Sequence, residues 1–286
     1  MSTPRTLRRV LGGATLAAAA LLGACGGDGG SPSGPDPDPT PQPQPQPQPG
    51  PKVVGRAIFG LDCYNHVVLF GSGNPENLAR QVAITGMSAG AAMLGIDFRP
   101  GDGKLYGIGS DSRMYTVDTL TGAATAVGAG FAPAVEGEHF GLTFAGDDLR
   151  LQSVESNADQ AFDPATGGTA SADPELAYVA GDPSEGMNPA IAATGALASG
   201  EIYGVDATSN ALVRMEPATG ALTTVGGFGF NVYLCSGMDI DTDGTAYAAM
   251  STDNGSELYT LDLATGAATL LGEIGGAPIH SIALKP

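Results

Sequence analysis

Tryptophan is absent from this chain of 286 residues, and basic residues are scarce. The 12 lysines and arginines stand against 30 aspartates and glutamates, which gives a formal net charge of −18 at pH 7. Such a surface repels phosphate backbones and anionic lipid headgroups, so the composition disfavours nucleic-acid binding. Without tryptophan, the chain also lacks the usual aromatic platform for stacking sugars or bases. The charge favours solubility and could attract Ca²⁺.

Two common catalytic signatures are missing or incomplete. The three histidines include no H-x-x-x-H pair. The segment Gly86-Met-Ser-Ala-Gly90 matches G-x-S-x-G, but a nucleophile elbow needs a helix after the serine. Here the chain runs within a few residues into a predicted strand at 94–98. We therefore interpret residues 86–90 as a loop.

Residues 1–25 have the pattern of a bacterial export signal, with three arginines before an apolar run over 10–23. The run ends in Leu22-Gly-Ala-Cys25, which resembles the lipobox of bacterial lipoproteins. The resemblance implies cleavage before Cys25, lipid attachment to its sulfur and anchoring in a membrane. Gly26 rather than Asp follows, which favours the outer membrane in a cell that has one. The alternative is an ordinary secreted protein in which Cys25 is incidental.

Residues 26–51 are predicted to be a disordered linker, because this tract of proline, glutamine and glycine offers no apolar side chains to pack. Its alternating Pro-Gln would hold a domain several nanometres from the lipid, in the periplasm or at the cell surface, at about 3.1 Å per residue. Residues 52–286 form the domain. They carry nine basic and 27 acidic residues, and 9 − 27 gives the whole net charge of −18.

One hairpin recurs along the domain. The segment RMYTVDTLTGAATAVG at 113–128 returns almost unchanged as ELYTLDLATGAATLLG at 257–272, and weaker copies lie at 157–168 and 211–226. The first half of each copy alternates as a half-buried strand does. The aspartate after it accepts backbone N–H groups in the turn, and the glycine of Thr-Gly supplies the positive φ that the turn requires.

Two further short strands precede each hairpin, so the repeat unit is four antiparallel strands. Successive Thr-Gly turns lie roughly 45 to 53 residues apart, a spacing typical of propeller blades. The first blade lacks an inner strand, and the C-terminal segment 278–284 has the missing pattern. We therefore predict an all-β propeller of about five four-stranded blades, closed by the C-terminal strand. Six blades are the alternative, because residues 162–194 are irregular.

These motifs support a family resemblance. Leu94-Gly-Ile-Asp-Phe-Arg-Pro100, Lys104-Leu-Tyr-Gly107 and the Asp-x-x-Thr-Gly-x-x-Thr hairpins resemble the bacterial domain-of-unknown-function 4394 family of secreted repeat proteins. The resemblance covers roughly residues 54–284 and implies a propeller-like fold. It implies no activity, and a fold by itself does not supply one.

A calcium site is one candidate for chemistry. Asp239, Asp241 and Asp243, followed by Gly244, read as the opening of a Ca²⁺-binding loop. The full EF-hand pattern fails, because its twelfth position holds Met250 rather than glutamate. The alternative is a structural turn of the repeat without bound metal.

The histidines are a second candidate. In the propeller arrangement His66, His139 and His280 fall on one face near the channel mouth, with Glu138 beside His139. A metal or an acid–base pair could form there. The alternative is that they are isolated surface histidines, because their spacings are long and irregular.

Two cysteines remain once Cys25 is assigned to lipid. Cys63 belongs to blade one and Cys235 to the adjacent blade five, on that same face, so an oxidising compartment could join them in a disulfide. Two free buried thiols are the alternative. A catalytic thiol has the least support, since no basic group or helix start is evident beside either cysteine.

The sequence favours a non-catalytic role over an enzyme. We expect a monomeric, lipid-anchored propeller of the cell envelope that binds a protein or small-molecule partner through loops of one face. The alternative is a metal-dependent, calcium-using hydrolase of lactonase-like type, for which Glu138, His139, Asp239 and His280 would have to converge. A third interpretation is a purely structural envelope protein.

Overall fold

The structure, a computed structural model, describes residues 52–286. Every regular element in this range is a β-strand, so the range contains no helix that could cross a membrane. The predicted export signal with Cys25 and the predicted linker lie outside the described residues.

Five sheets form the domain, and each is one blade. From the axis outwards, blade one consists of β21 (Ile279–Ala283), β1 (Ala57–Asp62), β2 (His66–Gly71) and β3 (Arg80–Ala83). Blade two consists of β4 (Met93–Phe98), β5 (Leu105–Gly109), β6 (Arg113–Val117) and β7 (Ala124–Val127). Blade three consists of β8 (Phe140–Ala145), β9 (Asp148–Ser153), β10 (Asp159–Asp163) and β11 (Gly168–Ala172).

Blade four consists of β13 (Ile191–Ala196), β14 (Ile202–Asp206), β15 (Ala211–Glu216), β16 (Ala221–Gly227) and the short β12 (Ala177–Tyr178). Blade five consists of β17 (Tyr233–Ile240), β18 (Ala246–Thr252), β19 (Gly255–Leu261) and β20 (Ala268–Glu273). The innermost strands contact one another in a ring, in the order β21, β4, β8, β13, β17 and back to β21. This arrangement confirms the predicted five-bladed propeller.

The C-terminal strand closes the ring. Strand β21 pairs antiparallel with β1, which places Phe59 opposite Ala283 and Leu61 opposite Ser281. Blade one is therefore built from both ends of the domain, as the sequence pattern predicts. This pairing covers the inner edge of β1, which would otherwise be exposed, and gives blade one the same four strands as its neighbours.

Blade four explains the irregular stretch that suggested a sixth blade. Its outer strand β16 carries the additional strand β12, which pairs with it in parallel and sets Ala177 opposite Ala221. The chain crosses from blade three to the rim of blade four before it returns to the axis at β13. The extra residues therefore extend an existing blade.

The Thr-Gly turns lie where neighbouring blades touch at the rim. Gly122 has φ +75°, and a Cβ at this position would lie 2.1 Å from the carbonyl oxygen of Ala83 in blade one. Gly167 repeats the contact, with φ +69° and 2.0 Å to the carbonyl oxygen of Val127 in blade two. Only glycine meets both conditions. The repeated glycine thus serves the turn and the blade boundary together.

The apolar core is divided among the gaps between blades. Adjacent residues of one strand point to opposite faces of their blade. Met114 of β6 packs between blades two and three, whereas Tyr115 packs between blades one and two. Aromatic rings meet edge to face in both gaps, as Phe59 does with Phe98 at 5.1 Å between ring centroids. Stacked blades therefore bury both faces of their central strands.

Candidate functional site at the ends of the propeller axis

Two aspartates of the inner strands link one blade to the next. Asp97 of β4 accepts the N–H of Phe144 in β8 at 2.6 Å, and Asp239 of β17 accepts the N–H of Leu284 beside β21 at 2.7 Å. The other oxygen of each carboxylate accepts the N–H of its own following residue, at 2.7 Å in both cases. Both aspartates follow a Gly-x pair in their strand, so they occupy equivalent positions of the repeat.

Hydroxyl side chains serve two other blade boundaries. The Ser281 Oγ lies 3.1 Å from both the backbone nitrogen and the backbone oxygen of Ile96, which joins blade one to blade two. Thr194 of blade four donates to the Gln152 side chain of blade three at 3.0 Å. Hydrogen bonds from particular polar side chains of the inner strands therefore join neighbouring blades inside the apolar core.

A cavity of about 210 Å³ lies at the axis where the inner strands end. All five blades contribute to it, which makes it a product of the closed ring. Its walls are mostly apolar, and Asp97 and Asp239 lie buried in its lining. The apolar and small residues of the lining are Phe98, Pro100, Phe144, Gly146, Ala196, Leu197, Ala198, Ile240, Leu284 and Pro286.

Burial makes these carboxylates hard to ionise. Loss of hydration raises the pKa of Asp97 to about 7, although the N–H groups of Phe144 and Phe98 and the hydroxyl of Thr143 oppose the shift. Burial, followed by the nearby charge of Asp97, raises the pKa of Asp239 well above its usual value. Both carboxyls are therefore protonated at a higher pH than exposed aspartates are. The cavity offers both a hydrogen-bond donor and partial negative charge.

The predicted histidine cluster lies at the other end of the axis. His139 pairs through Nδ1 with Glu155 at 2.8 Å, and His66 pairs through Nδ1 with the buried Asp62 at 2.9 Å. The half-buried His280 has a buried Nε2 with no hydrogen-bond partner. Loss of hydration lowers the pKa of His280 to about 4, against the raising effect of Asp62. Glu138 is exposed and faces solvent.

The residues named for a hydrolase do not converge. His280 lies near the start of β21, and Asp239 binds the backbone just beyond its end. Leu284 is four residue steps beyond His280, so about 13 Å of extended chain lies between these points. Nothing in residues 52–286 supports the calcium-dependent hydrolase alternative.

The aspartates of the predicted calcium loop are engaged in separate contacts. Asp239 serves the blade boundary, Asp241 pairs with Arg56 at 2.6 Å, and Asp243 accepts the N–H of Thr245 at 2.9 Å. Within the described range, no group of three or more His, Cys, Asp or Glu side chains is arranged to hold a metal ion. The calcium site stays a sequence prediction without structural support.

The two cysteines lie side by side. The sulfur of Cys63, in the turn between β1 and β2, is 3.1 Å from the sulfur of Cys235 in β17. This structure holds both as free thiols, since a disulfide would bring the sulfurs to about 2.05 Å. The sequence correctly places them on the blade one–blade five boundary, and the bond itself stays a prediction.

The sequence reasoning missed the role of Asp97. Its signal was present, because Gly-Ile-Asp-Phe and Gly-Met-Asp-Ile stand at matching places of blades two and five. From the sequence alone we assign the first to the family motif, and the second to a calcium loop or, alternatively, to a structural turn of the repeat. An acidic residue in an otherwise apolar inner strand indicates a buried carboxylate, and two equivalent ones indicate a pair at the axis.

Comparison with solved structures supports the fold alone. The chain resembles a chain of the nidogen/laminin complex with a TM-score of 0.51 at 10% identity, covering 81% of this chain and 99% of that one. It resembles a protein of unknown function from Bacteroides thetaiotaomicron with a TM-score of 0.50 at 15% identity, covering 78% and 60%.

The family comparison covers most of the domain. No curated protein matches the sequence. A family described as a domain of unknown function, DUF4394, matches residues 66–283, which include blades two to five and every strand of blade one except β1. With its repeated hairpins and closed ring, this chain belongs to the DUF4394 family.

Proposed function

We propose that this protein is a non-catalytic binding protein of the cell envelope, and that its ligand enters the axial cavity lined by Asp97 and Asp239. The cavity carries the proposal, because it is concave, mostly apolar and built by all five blades. Binding sites for small molecules typically combine apolar walls with a few converging polar groups. Buried titratable groups with strongly shifted pKa values are more common at functional sites than elsewhere on a protein.

The chemistry of the lining selects a small ligand with a cationic or hydrogen-bond-donating head and an apolar body. Each carboxylate oxygen already accepts one backbone N–H, so further lone pairs remain for a ligand. A cation would offset the unfavourable burial of negative charge, whereas an anion would add to it. The volume of about 210 Å³ restricts the ligand to a small molecule or a single side chain.

Thermal melting with matched probes tests this function. Cyclohexylammonium, cyclohexanol and cyclohexanecarboxylate share one apolar ring and differ in their head group. A ligand that binds only the folded state raises the melting temperature. We expect the rise to be largest for the ammonium ion, smaller for the alcohol and absent for the carboxylate. Equal shifts for all three, or none, would reject the cavity as the binding site.

A cavity-filling variant supplies the control. Ala196 lines the cavity, so Ala196→Phe should abolish the shift by ammonium while leaving both carboxylates in place. Ala264→Phe places the same new ring on an exposed turn of blade five and should keep the shift. Loss of the shift in both variants would indicate general damage to the fold instead of a blocked site.

Anchoring of the protein to a membrane is a separate part of the proposal. The lipobox-like Leu22-Gly-Ala-Cys25 supports lipid attachment at Cys25, with the linker of residues 26–51 between membrane and propeller. Labelling of growing cells with a palmitate analogue should mark the wild-type protein and not the Cys25→Ser variant. Equal labelling of both would reject lipid attachment at this residue.

A further inference from the structure

The boundary between blades five and one carries a pair of thiols. Cys63 lies in the turn after β1 and is exposed, and Cys235 lies in the inner strand β17 and is half-buried. Their sulfurs are 3.1 Å apart, although the residues stand 172 positions apart in the chain. A disulfide needs the sulfurs to approach by about 1 Å more, a shift within the freedom of an exposed turn.

This corner of the ring holds the N-terminal hairpin of blade one. Strand β1 is fastened to β21 by a ladder whose register shifts between Leu61 and Asp62. Beyond that shift, Asp62 pairs with Ile279, and the Cys63 N–H donates to the carbonyl of Pro278 at 3.1 Å. The cysteine pair lies where the regular ladder of blade one ends. A covalent bond here would fasten the hairpin directly to blade five.

We propose that Cys63 and Cys235 form an intramolecular disulfide that fastens blade one to blade five, and that a protein disulfide of an oxidising compartment is the oxidant. The bond forms a second closure of the ring beside the β21–β1 ladder. It lies apart from the axial cavity, so it is independent of the proposed ligand.

The exchange begins at the exposed sulfur. The Cys63 thiolate attacks the disulfide of the oxidant, which forms a mixed disulfide and releases one thiolate of the oxidant. Cys235 then loses its proton and attacks the Cys63 sulfur, and the second oxidant sulfur leaves. The two cysteines lose two electrons and two protons, and the oxidant ends as a dithiol.

A catalytic role for the pair has less support. Burial and the hydrogen bond with Cys63 raise the pKa of Cys235 to about 12, so its thiol stays protonated at neutral pH. Catalytic thiols usually have a lowered pKa beside a cation or a helix start. Cys235 therefore suits the second step of disulfide formation, in which it attacks the Cys63 sulfur of the mixed disulfide.

The bond should stabilise the fold measurably. It would close a loop of more than 170 residues, and long loops give the larger effects in the chain-entropy account. For a domain of this size we expect the melting temperature of the oxidised protein to exceed that of the reduced protein by about 5–10 °C.

The experiment uses the full chain carrying Cys25→Ser, which leaves only these two cysteines of the three. The protein is equilibrated in oxidised glutathione, alkylated under denaturing conditions, digested without reductant and analysed by mass spectrometry. We expect no alkylated cysteine and one linked peptide pair containing Cys63 and Cys235 from monomeric protein. Two alkylated thiols, or a link between two chains, would overturn the proposal.

Melting of two variants completes the test. Cys63→Ser should melt at the temperature of the reduced protein, with or without reductant, because the exposed position tolerates serine. Ser110→Ala serves as an ordinary point change away from the pair and should keep the full response to reductant. A reductant response that persists in Cys63→Ser would also overturn the proposal.

Discussion

Asp239 accepts the backbone N–H of Leu284 at 2.7 Å, so a buried carboxylate of blade five holds the end of the strand that completes blade one. The same carboxylate lines the axial cavity and has a raised pKa. Ring closure and the candidate binding site therefore share one side chain. A change at this residue therefore affects both ring closure and the candidate binding site, and only changes at other positions separate the two.

Removal of the C-terminal strand should open the ring. A chain that ends at Ala277 exposes the edge of β1 and removes the partner of the Asp239 carboxylate. We expect loss of the single cooperative unfolding transition in urea, followed by circular dichroism, and aggregation through the free edge. Removal of Pro286 alone is the control and should leave the transition unchanged. Unaltered unfolding of the longer truncation would contradict closure by β21.

The free energy of unfolding should depend on pH through the titration of Asp97. Because folding raises the pKa of this carboxyl to about 7, the folded state holds its proton between pH 4 and pH 7 and the unfolded chain does not. The stabilisation is complete below about pH 4 and is lost as the pH rises through 7. Relative to Asp97→Asn, the wild type should lose on the order of 2 kcal/mol of unfolding free energy between pH 5 and pH 7.

Urea unfolding at several pH values measures this difference. Asp118→Asn is the control, because the exposed Asp118 accepts backbone N–H groups in its turn and its pKa is lowered. Its contribution is present above about pH 4 and is lost only at lower pH, so its variant should run parallel to the wild type from pH 5 to 7. A flat difference between wild type and Asp97→Asn would show that this carboxyl titrates normally.

His280 should produce a dependence of opposite sign. Burial lowers its pKa from 6.5 to about 4, so the folded state disfavours the charged imidazole. Its contribution to stability is complete above about pH 6.5 and is lost as the pH falls towards 4. Compared with His280→Gln, the wild type should lose roughly 3 kcal/mol of unfolding free energy over that range. Nuclear magnetic resonance titration of the imidazole checks the pKa directly, and a value near 6.5 would contradict this account.

The rim contact of the repeat can be separated from its turn geometry. Gly122→Ala introduces a Cβ about 2 Å from the Ala83 carbonyl at a φ of +75°, whereas Gly103→Ala meets nothing within 4 Å at a φ of +65°. Both carry the conformational cost of a positive φ, roughly 1–2 kcal/mol. We expect Gly122→Ala to cost at least about 2 kcal/mol more in urea unfolding. Equal losses would mean that the blades separate easily at the rim.

Much of the fold follows from local pattern. The alternation in 113–117, the turn aspartate Asp118 and the positive φ of Gly122 are properties of a few consecutive residues, and each recurs. Repetition then predicts the blades, and the unpaired pattern at the C-terminus predicts the closure. The extra strand β12 was missed, because two residues carry no periodicity and their parallel pairing depends on the neighbouring rim.

The candidate site could not be predicted from sequence, because its residues are far apart in the chain and meet only in the folded ring. Asp97 and Asp239 come together only because five strands surround one axis, and the sequence cannot show which end of that axis is hollow. Reasoning from residue type favoured the three histidines, since imidazole is a common ligand and proton carrier. Two of them are instead paired with Asp62 and Glu155, and the cavity lies at the opposite end.

The most direct test of the binding account is a crystal structure of the protein soaked with 4-bromobenzylamine, with bromine located by anomalous diffraction. The account predicts a bromine peak inside the axial cavity, with the amine nitrogen within hydrogen-bond distance of Asp97 or Asp239, and no such peak in Ala196→Phe crystals. Bromine peaks confined to the outer surface, with an empty cavity in the wild type, would contradict it.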